Sequence, residues 1–137
     1  MQNVLTSSIR GLDDFLLYLL TALALLAVFM WIYVHTTPYR EIQLIRSGNV
    51  AAAWSLSGAV LGFVIPLASA ITHSVAFVDM LLWGAIALVI QLAAFAVARL
   101  LLPNLANDIP AGQVAPGIFV GALSLGVGIL NAACMSY

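Results

Sequence analysis

Lysine is absent from this sequence, and only 7% of its residues carry a charged side chain. No basic patch or arm can form, which excludes nucleic-acid binding. The single cysteine, Cys134, excludes a disulfide within the chain, and we expect it to be a small buried apolar side chain.

The sequence also lacks the common signatures of catalytic and metal sites. It has no H-E-x-x-H motif, no cysteine pair and no glycine-rich phosphate loop after a strand. Its two histidines, His35 and His73, fall at opposite ends of apolar segments, so one chain cannot bring them to one metal. We therefore expect no enzymatic activity, no metal and no cofactor.

Apolar residues dominate instead, at 64% of the chain with a mean hydropathy of +1.15. A membrane-spanning helix needs roughly 20 apolar residues. Four such runs are present, at residues 15–34, 50–71, 77–102 and 114–135. The sequence predicts an all-α integral membrane protein with four transmembrane helices in one domain, residues 1–137, surrounded by the lipid bilayer.

The few arginines predict the orientation. Arg40, Arg46 and Arg99 fall on one face of a four-helix layout, and Arg10 falls alone on the other. Because arginine is retained on the cytoplasmic side of short loops, we expect a multi-pass protein of the bacterial inner membrane with both termini in the periplasm.

The first apolar run is expected to remain as a spanning helix, because residues 1–14 lack the features of a removable signal peptide. Asp13 or Asp14 is expected to cap its start. At its far end, Trp31, Tyr33 and Tyr39 are expected to lie at the headgroup level.

A short interfacial helix is predicted to follow, with Thr37 as its cap and Pro38 in its first turn. One face would be apolar and would contain Tyr39, Ile42 and Ile45. The opposite face would be polar and would contain Arg40, Glu41 and Gln43.

The corner after this helix occurs twice in the sequence. Gly48-Asn49-Val50-Ala51 returns 64 residues later as Gly112-Gln113-Val114-Ala115, and eight of the 24 positions in 45–68 match those in 109–132. Gly48 suits the left-handed conformation that ends a helix, and Asn49 can cap the next one, whereas Gln113 is a poorer cap. The pattern predicts two tandem repeats in parallel orientation, about 13–73 and 77–137, each built as helix, interfacial helix, helix.

Small residues along the later spans predict close helix packing. The glycines expected at helix contacts are Gly58, Gly62, Gly84, Gly121, Gly126 and Gly128. We expect the fourth spanning helix to be the most enclosed and the first to lie at the rim, facing lipid.

Two amides lie within the apolar spans, and their role has two readings. Gln91 and Asn131 either hydrogen-bond neighbouring helices or line an oligomer axis or pore. Within one chain, Ser69 and Tyr18 lie at the depth of Asn131 and are its expected partners.

Most polar side chains of the predicted cytoplasmic face form a second candidate site. This set comprises Arg40, Glu41, Gln43, Arg46, Arg99 and Asp108. These side chains either anchor the helix ends at the headgroups or form a docking face for a soluble protein.

The duplicated corner and the ending Leu130-Asn131-Ala132-Ala133-Cys134-Met135 resemble the YjfL-type inner-membrane family over essentially the whole chain. The resemblance implies a four-helix, two-repeat inner-membrane protein without an assigned activity. It also implies a soluble partner of the phage-shock type or of the ATP-grasp ligase type. Gln113 departs from the asparagine of the family motif, which places the capping role of that position in doubt.

Taken together, these features predict an oligomeric membrane anchor or scaffold in an envelope-maintenance system. The alternative is a small oligomeric channel or passive pore.

Overall fold

The structure, a computed structural model, describes residues 1–135, which form six α-helices and no strand. In chain order the helices are α1 (Gln2–Thr36), α2 (Glu41–Arg46), α3 (Val50–His73), α4 (Phe77–Leu101), α5 (Leu105–Asp108) and α6 (Val114–Cys134). α1, α3, α4 and α6 are long and apolar enough to cross a membrane, which confirms the all-helical class with four candidate spans.

α1 is longer than the apolar run that it contains. It has 35 residues and begins at Gln2, so the prediction that Asp13 or Asp14 caps it is wrong. In the first turns, Thr6, Ser7 and Ser8 each donate a hydrogen bond to the carbonyl four residues earlier, which satisfies their hydroxyls within the helix. Only 6% of its most apolar window is buried, so α1 lies at the rim.

The centre of the fold is the contact between α3 and α6. Ala51 lies against Gly117, Gly58 against Gly121 and Gly62 against Gly128, so the two helices run in the same direction. At Gly58, Gly117, Gly121 and Gly128 an added Cβ would overlap the backbone of the opposing helix. The two backbones are therefore in direct contact, an approach that only glycine permits.

Pro66 shapes the same contact, because it has no N–H to donate to the Gly62 carbonyl four residues earlier. Gly128 lies directly over that carbonyl oxygen. The freed acceptor therefore faces the backbone of α6.

The most enclosed helix is α3, and the expectation that the fourth span holds this place is wrong. Half of the most apolar window of α3 is buried, compared with 28% for α6. The reason is topological, since α3 packs against α1, α2, α4 and α6, whereas the principal contacts of α6 are with α3 and α4.

Two of the six predicted packing glycines do not meet another backbone. Gly126 has no atom within 4 Å of where its Cβ would lie, so it makes no helix contact in this chain. Gly84 faces the side chains of Leu25 and Leu67 instead.

Both corners adopt the same backbone conformation. Gly48 and Gly112 have φ of 89° and 82°. The Gly48 N–H donates to the Ile45 carbonyl, and 64 residues later the Gly112 N–H donates to the Ile109 carbonyl, both at 3.0 Å. Each corner is therefore closed by a left-handed glycine, the usual end of a helix.

Candidate functional site

The two corners are joined at one end of the molecule by Asn49. Its side-chain oxygen accepts a hydrogen bond from the Ala52 N–H at 2.9 Å, which caps α3. Its amide nitrogen donates to the Ile109 carbonyl at 2.8 Å and so reaches the second corner. Gln113, in the matching position, makes no side-chain cap at α6.

α2 begins at Glu41, later than predicted, and a different face of it packs inward. Residues 37–40 form a non-helical turn, in which the Thr37 hydroxyl donates to the Tyr39 carbonyl. This turn sets the rotation of α2, so that Glu41 is buried and Ile42 is 41% exposed. Both the Thr37 cap and the position of Glu41 on an exposed polar face were therefore wrong.

A cluster of polar side chains lies buried beneath this corner. It contains Tyr33 from α1, Tyr39 from the turn, Glu41 from α2 and Ser55 from α3. Glu41, Tyr33 and Ser55 are 0% exposed and Tyr39 is 6% exposed. Tyr33 and Tyr39 each interact electrostatically with Glu41 and lie near Ser55, yet none of the four side chains reaches hydrogen-bonding geometry with another group of residues 1–135. We call these four residues the buried corner cluster.

The burial of Glu41 controls its ionisation. Desolvation disfavours the charged carboxylate and raises the pKa of Glu41 to about 8, against a smaller opposing effect of the Tyr39 hydroxyl. Burial, and then the nearby Glu41 carboxylate, also raises the pKa of Tyr39, while Arg99 on α4 acts in the opposite direction. Glu41 is therefore predominantly a neutral carboxylic acid at pH 7.

The sequence did not reveal this cluster, since Tyr33 and Tyr39 were expected at the headgroups. Tyr33 instead packs against Phe29 and Phe95, with ring centroids 5.6 and 5.3 Å away. Aromatic and acidic residues on either side of a proline are typical of an exposed loop, and no spacing in this segment indicates burial.

The remaining polar side chains of the predicted partner face lie at the surface of this end. Arg40, Gln43, Arg46 and Arg99 are exposed, and Asp108 is partly exposed. Two surface grooves open beside them. One has a volume of about 590 Å³ and lies between α1 and α2, and the other, of about 480 Å³, lies between the two corners and includes Ser47 and Pro110.

The two amides of the spans lie inside the chain. Gln91 is 1% exposed, and its amide donates to the Ser124 carbonyl of α6 at 3.1 Å, while its oxygen makes no hydrogen bond to the part of the chain that the structure describes. Asn131 is 9% exposed, and its amide nitrogen has no hydrogen-bond partner among the described residues. The expected partner Ser69 donates to the Ala132 carbonyl instead, at 3.4 Å.

Few other side chains offer chemistry. Within residues 1–135, no group of three or more histidine, cysteine or acidic side chains is placed to hold a metal ion. Cys134 is exposed, contrary to the expectation of a buried side chain, because it lies in the last turn of α6 on a face that no other helix covers.

Comparison with known proteins gives a family and no activity. The family described as "Domain of Unknown Function (DUF350)" matches residues 5–135. The UPF0719 inner membrane protein YjfL of Escherichia coli strain K12 is 45% identical over 120 residues, which cover 88% of this chain and 91% of that protein. YjfL of Escherichia coli O157:H7 gives the same values, and no solved structure matches the chain.

Proposed function

The chain belongs to the DUF350 family of inner-membrane proteins, and from the geometry of its two corners we propose that it is a membrane scaffold that holds a soluble protein at the cytoplasmic face. In this proposal the two corners are equivalent parts of tandem repeats in parallel orientation. Their joined end forms the docking platform, and the chain itself performs no catalysis.

The observation that carries the proposal is the hydrogen bond from Asn49 to the Ile109 carbonyl. It joins the two corners, so that Gln43 and Ser47 of the first corner and Pro110 of the second border one groove. A platform fixed in this way requires little ordering when a partner binds, which favours affinity.

The exposed charge at this end indicates the kind of partner. Arg40, Arg46 and Arg99 are exposed, and Asp108 is the partly exposed acid near them. We propose a partner with an acidic surface, of the phage-shock type or the ATP-grasp ligase type, bound to a homo-oligomer of the chain. Opposite charge would guide its association.

The channel alternative has one observation in its favour, since the Gln91 oxygen and the Asn131 amide nitrogen have no hydrogen-bond partner within residues 1–135. Against it, the backbones of α3 and α6 are in contact and Gln91 is bound to α6. A conducting path would therefore have to lie between subunits. Conductance of the reconstituted protein in planar bilayers would distinguish a channel from a scaffold.

Photocrosslinking in intact cells tests the scaffold. A crosslinking amino acid replaces Ser47, which lines the platform groove, and in a matched control it replaces Val75, which is 92% exposed at the opposite end of α3. We expect Ser47 to capture one soluble protein and Val75 not to capture it.

The charge-reversed chain with Arg40→Glu and Arg46→Glu completes this test. Because Arg40 and Arg46 are two of the three arginines that predict the orientation, labelling of a cysteine at Val75 first checks that the variant keeps it. In correctly oriented protein the crosslink should be lost, since both side chains are exposed. If Ser47 captures only lipid, or if charge reversal leaves capture unchanged, the scaffold proposal is wrong.

A further inference from the structure

The larger groove at the corner extends from α2 onto α1. It runs between the last turn of α1 and the whole of α2, with a volume of about 590 Å³. Its polar walls are His35, Arg40, Gln43 and Arg46, its apolar wall includes Ile42, and Glu41 lies at its inner edge. We call it the lateral groove.

The neighbouring residues place the lateral groove at the membrane surface. Trp31 is 63% exposed one turn before His35, with the two ring centroids 4.5 Å apart. Tryptophan favours the boundary between headgroups and acyl chains. Ile42 is 41% exposed on the groove wall, as expected where α2 rests on acyl chains.

The charge of the groove is unbalanced. Arg40 and Arg46 are both exposed along it, and Glu41 is the one carboxylate among the residues that line it. Burial keeps Glu41 protonated at pH 7, since desolvation raises its pKa to about 8. Two guanidinium groups therefore face the groove without a compensating negative charge from its walls.

From this geometry we infer that the lateral groove binds the phosphate headgroup of an anionic phospholipid, with Arg40 and Arg46 as its ligands. Guanidinium groups suit phosphate because they donate paired hydrogen bonds to its oxygens. Gln43 and His35 can donate further hydrogen bonds. This inference goes beyond the scaffold proposal. The two grooves share Arg40 and Gln43, but the lateral groove continues to His35 of α1, whereas the platform groove continues to Ser47 and Pro110.

A lipid fits this groove better than a free phosphate does. The polar wall continues directly into the exposed apolar surface of Ile42 and Trp31, where acyl chains would lie. A soluble phosphate compound would gain nothing from that surface, and it would have to displace headgroups to reach it.

Native mass spectrometry of the delipidated protein tests the inference. The probes are phosphatidylglycerol, which carries a net negative charge, phosphatidylcholine, which has a phosphate but no net charge, and inorganic phosphate. We expect phosphatidylglycerol to bind at least ten-fold more tightly than phosphatidylcholine, and inorganic phosphate not to compete with it.

Arginine variants locate the site. The double variant Arg40→Gln and Arg46→Gln should weaken phosphatidylglycerol binding roughly 10- to 30-fold, as expected for the loss of two cations at a membrane surface. Arg10→Gln is the matched control, because Arg10 is exposed near the other end of α1. Three results would each overturn the inference: an equal loss of phosphatidylglycerol affinity in the double variant and in the Arg10→Gln control, no preference for phosphatidylglycerol, or competition by inorganic phosphate.

The pH dependence gives a second readout. The groups around Glu41 are Tyr33 and His35 on α1, Tyr39 and Arg40 in the turn, Arg46 on α2, Ser55 on α3 and Arg99 on α4. As Glu41 ionises near pH 8, its carboxylate would repel the lipid phosphate, so binding should weaken between pH 7 and 9.

Two variants test whether Glu41 causes this pH dependence of lipid binding. Glu41→Gln should abolish the weakening, whereas His35→Gln should retain it. A binding curve that falls with pH in the Glu41→Gln chain as steeply as in the original chain would contradict the proposed geometry.

Discussion

At the scale of single residues, Glu41 lies in an environment that disfavours the charged form of its carboxyl group. Neither of its carboxylate oxygens has a hydrogen-bond partner among residues 1–135, and its side chain is 0% exposed. An ionised carboxylate in this position would be strongly destabilising, so the group keeps its proton instead. The buried corner cluster therefore makes the stability of the fold dependent on pH.

The sign of this dependence follows from the two pKa values of Glu41, which are 4.5 for an unperturbed group and about 8 in the fold. Between these values the folded protein binds the proton and the unfolded chain does not, so folding stability falls as pH rises from 4.5 to 8. Glu41→Gln removes this effect, and it should raise the melting temperature in detergent at pH 8 and change it little at pH 4.5. Each pH unit in this window contributes at most about 1.4 kcal/mol.

Thermal unfolding measured from pH 4.5 to 8 checks this prediction. Asp13→Asn is the control, because Asp13 is exposed on α1 and its substitution should leave the pH profile unchanged. A Glu41→Gln chain that is less stable than the original at pH 8 would show that the carboxylate is ionised and satisfied by a partner.

The sequence could not predict the environment of Glu41, for a physical reason. A six-residue helix has no apolar periodicity long enough to fix its rotation, so the polar residues of α2 were assigned to one outer face. The rotation is decided by the turn at residues 37–40 and by packing against α1 and α3, which no local pattern encodes. By contrast, the left-handed Gly48 and the Asn49 cap were predicted correctly, because both depend on neighbouring residues alone.

At the scale of elements, the α3–α6 contact is the most extensive contact between helices of the fold. It depends on glycines that let two backbones approach, since hydrophobicity does not drive helices together in lipid. The identity and number of the long helices follow from the apolar runs, and four of the predicted glycines do lie at close helix contacts. Gly126 does not lie at such a contact. The sequence could not show this, because a small residue in an apolar helix gives the same pattern whether it faces another helix or lipid.

A pair of alanine substitutions on α6 tests this contact. At Gly128 an added methyl group would overlap the Gly62 backbone, so Gly128→Ala should destabilise the protein by roughly 1–3 kcal/mol, as expected for overpacking. At Gly126 the added methyl group meets open space, so Gly126→Ala should be neutral or stabilising by up to about 1 kcal/mol, through helix propensity. Equal melting temperatures for the two variants would contradict the arrangement of α3 and α6.

At the scale of the whole molecule, charge is distributed unequally between the two ends. Arg40, Arg46 and Arg99 lie at the corner end, and Arg10 lies near the other end of α1. The apolar runs could predict the membrane class, which the inner-membrane relative supports. The hydrogen bond between Asn49 and Ile109 could not be predicted, because it joins residues that are 60 positions apart.

Cysteine labelling tests which end faces the cytoplasm. In a Cys134→Ala background, Ser47→Cys reports on the corner end and Val75→Cys on the loop between α3 and α4. With a membrane-impermeant maleimide added to intact spheroplasts, we expect Val75→Cys to be labelled at once and Ser47→Cys only after the membrane is permeabilised. The opposite pattern would reverse the proposed orientation and place the platform in the periplasm.

The length of α1 gives the protein a part that responds to bilayer thickness. At 1.5 Å per residue its apolar run, residues 15–34, extends roughly 30 Å, which matches the hydrocarbon core, and the first turns of the 35-residue helix continue beyond it. Arg10, Asp13 and Asp14 resist entry into the hydrocarbon at one end, as the polar corner does at the other. Since α1 is almost unburied, we expect a thinner membrane to tilt α1 while the glycine-packed pair stays unchanged. That tilt would move Tyr33 and the last turn of α1. A change in bilayer thickness would therefore alter the packing around Glu41 before it altered the α3–α6 contact.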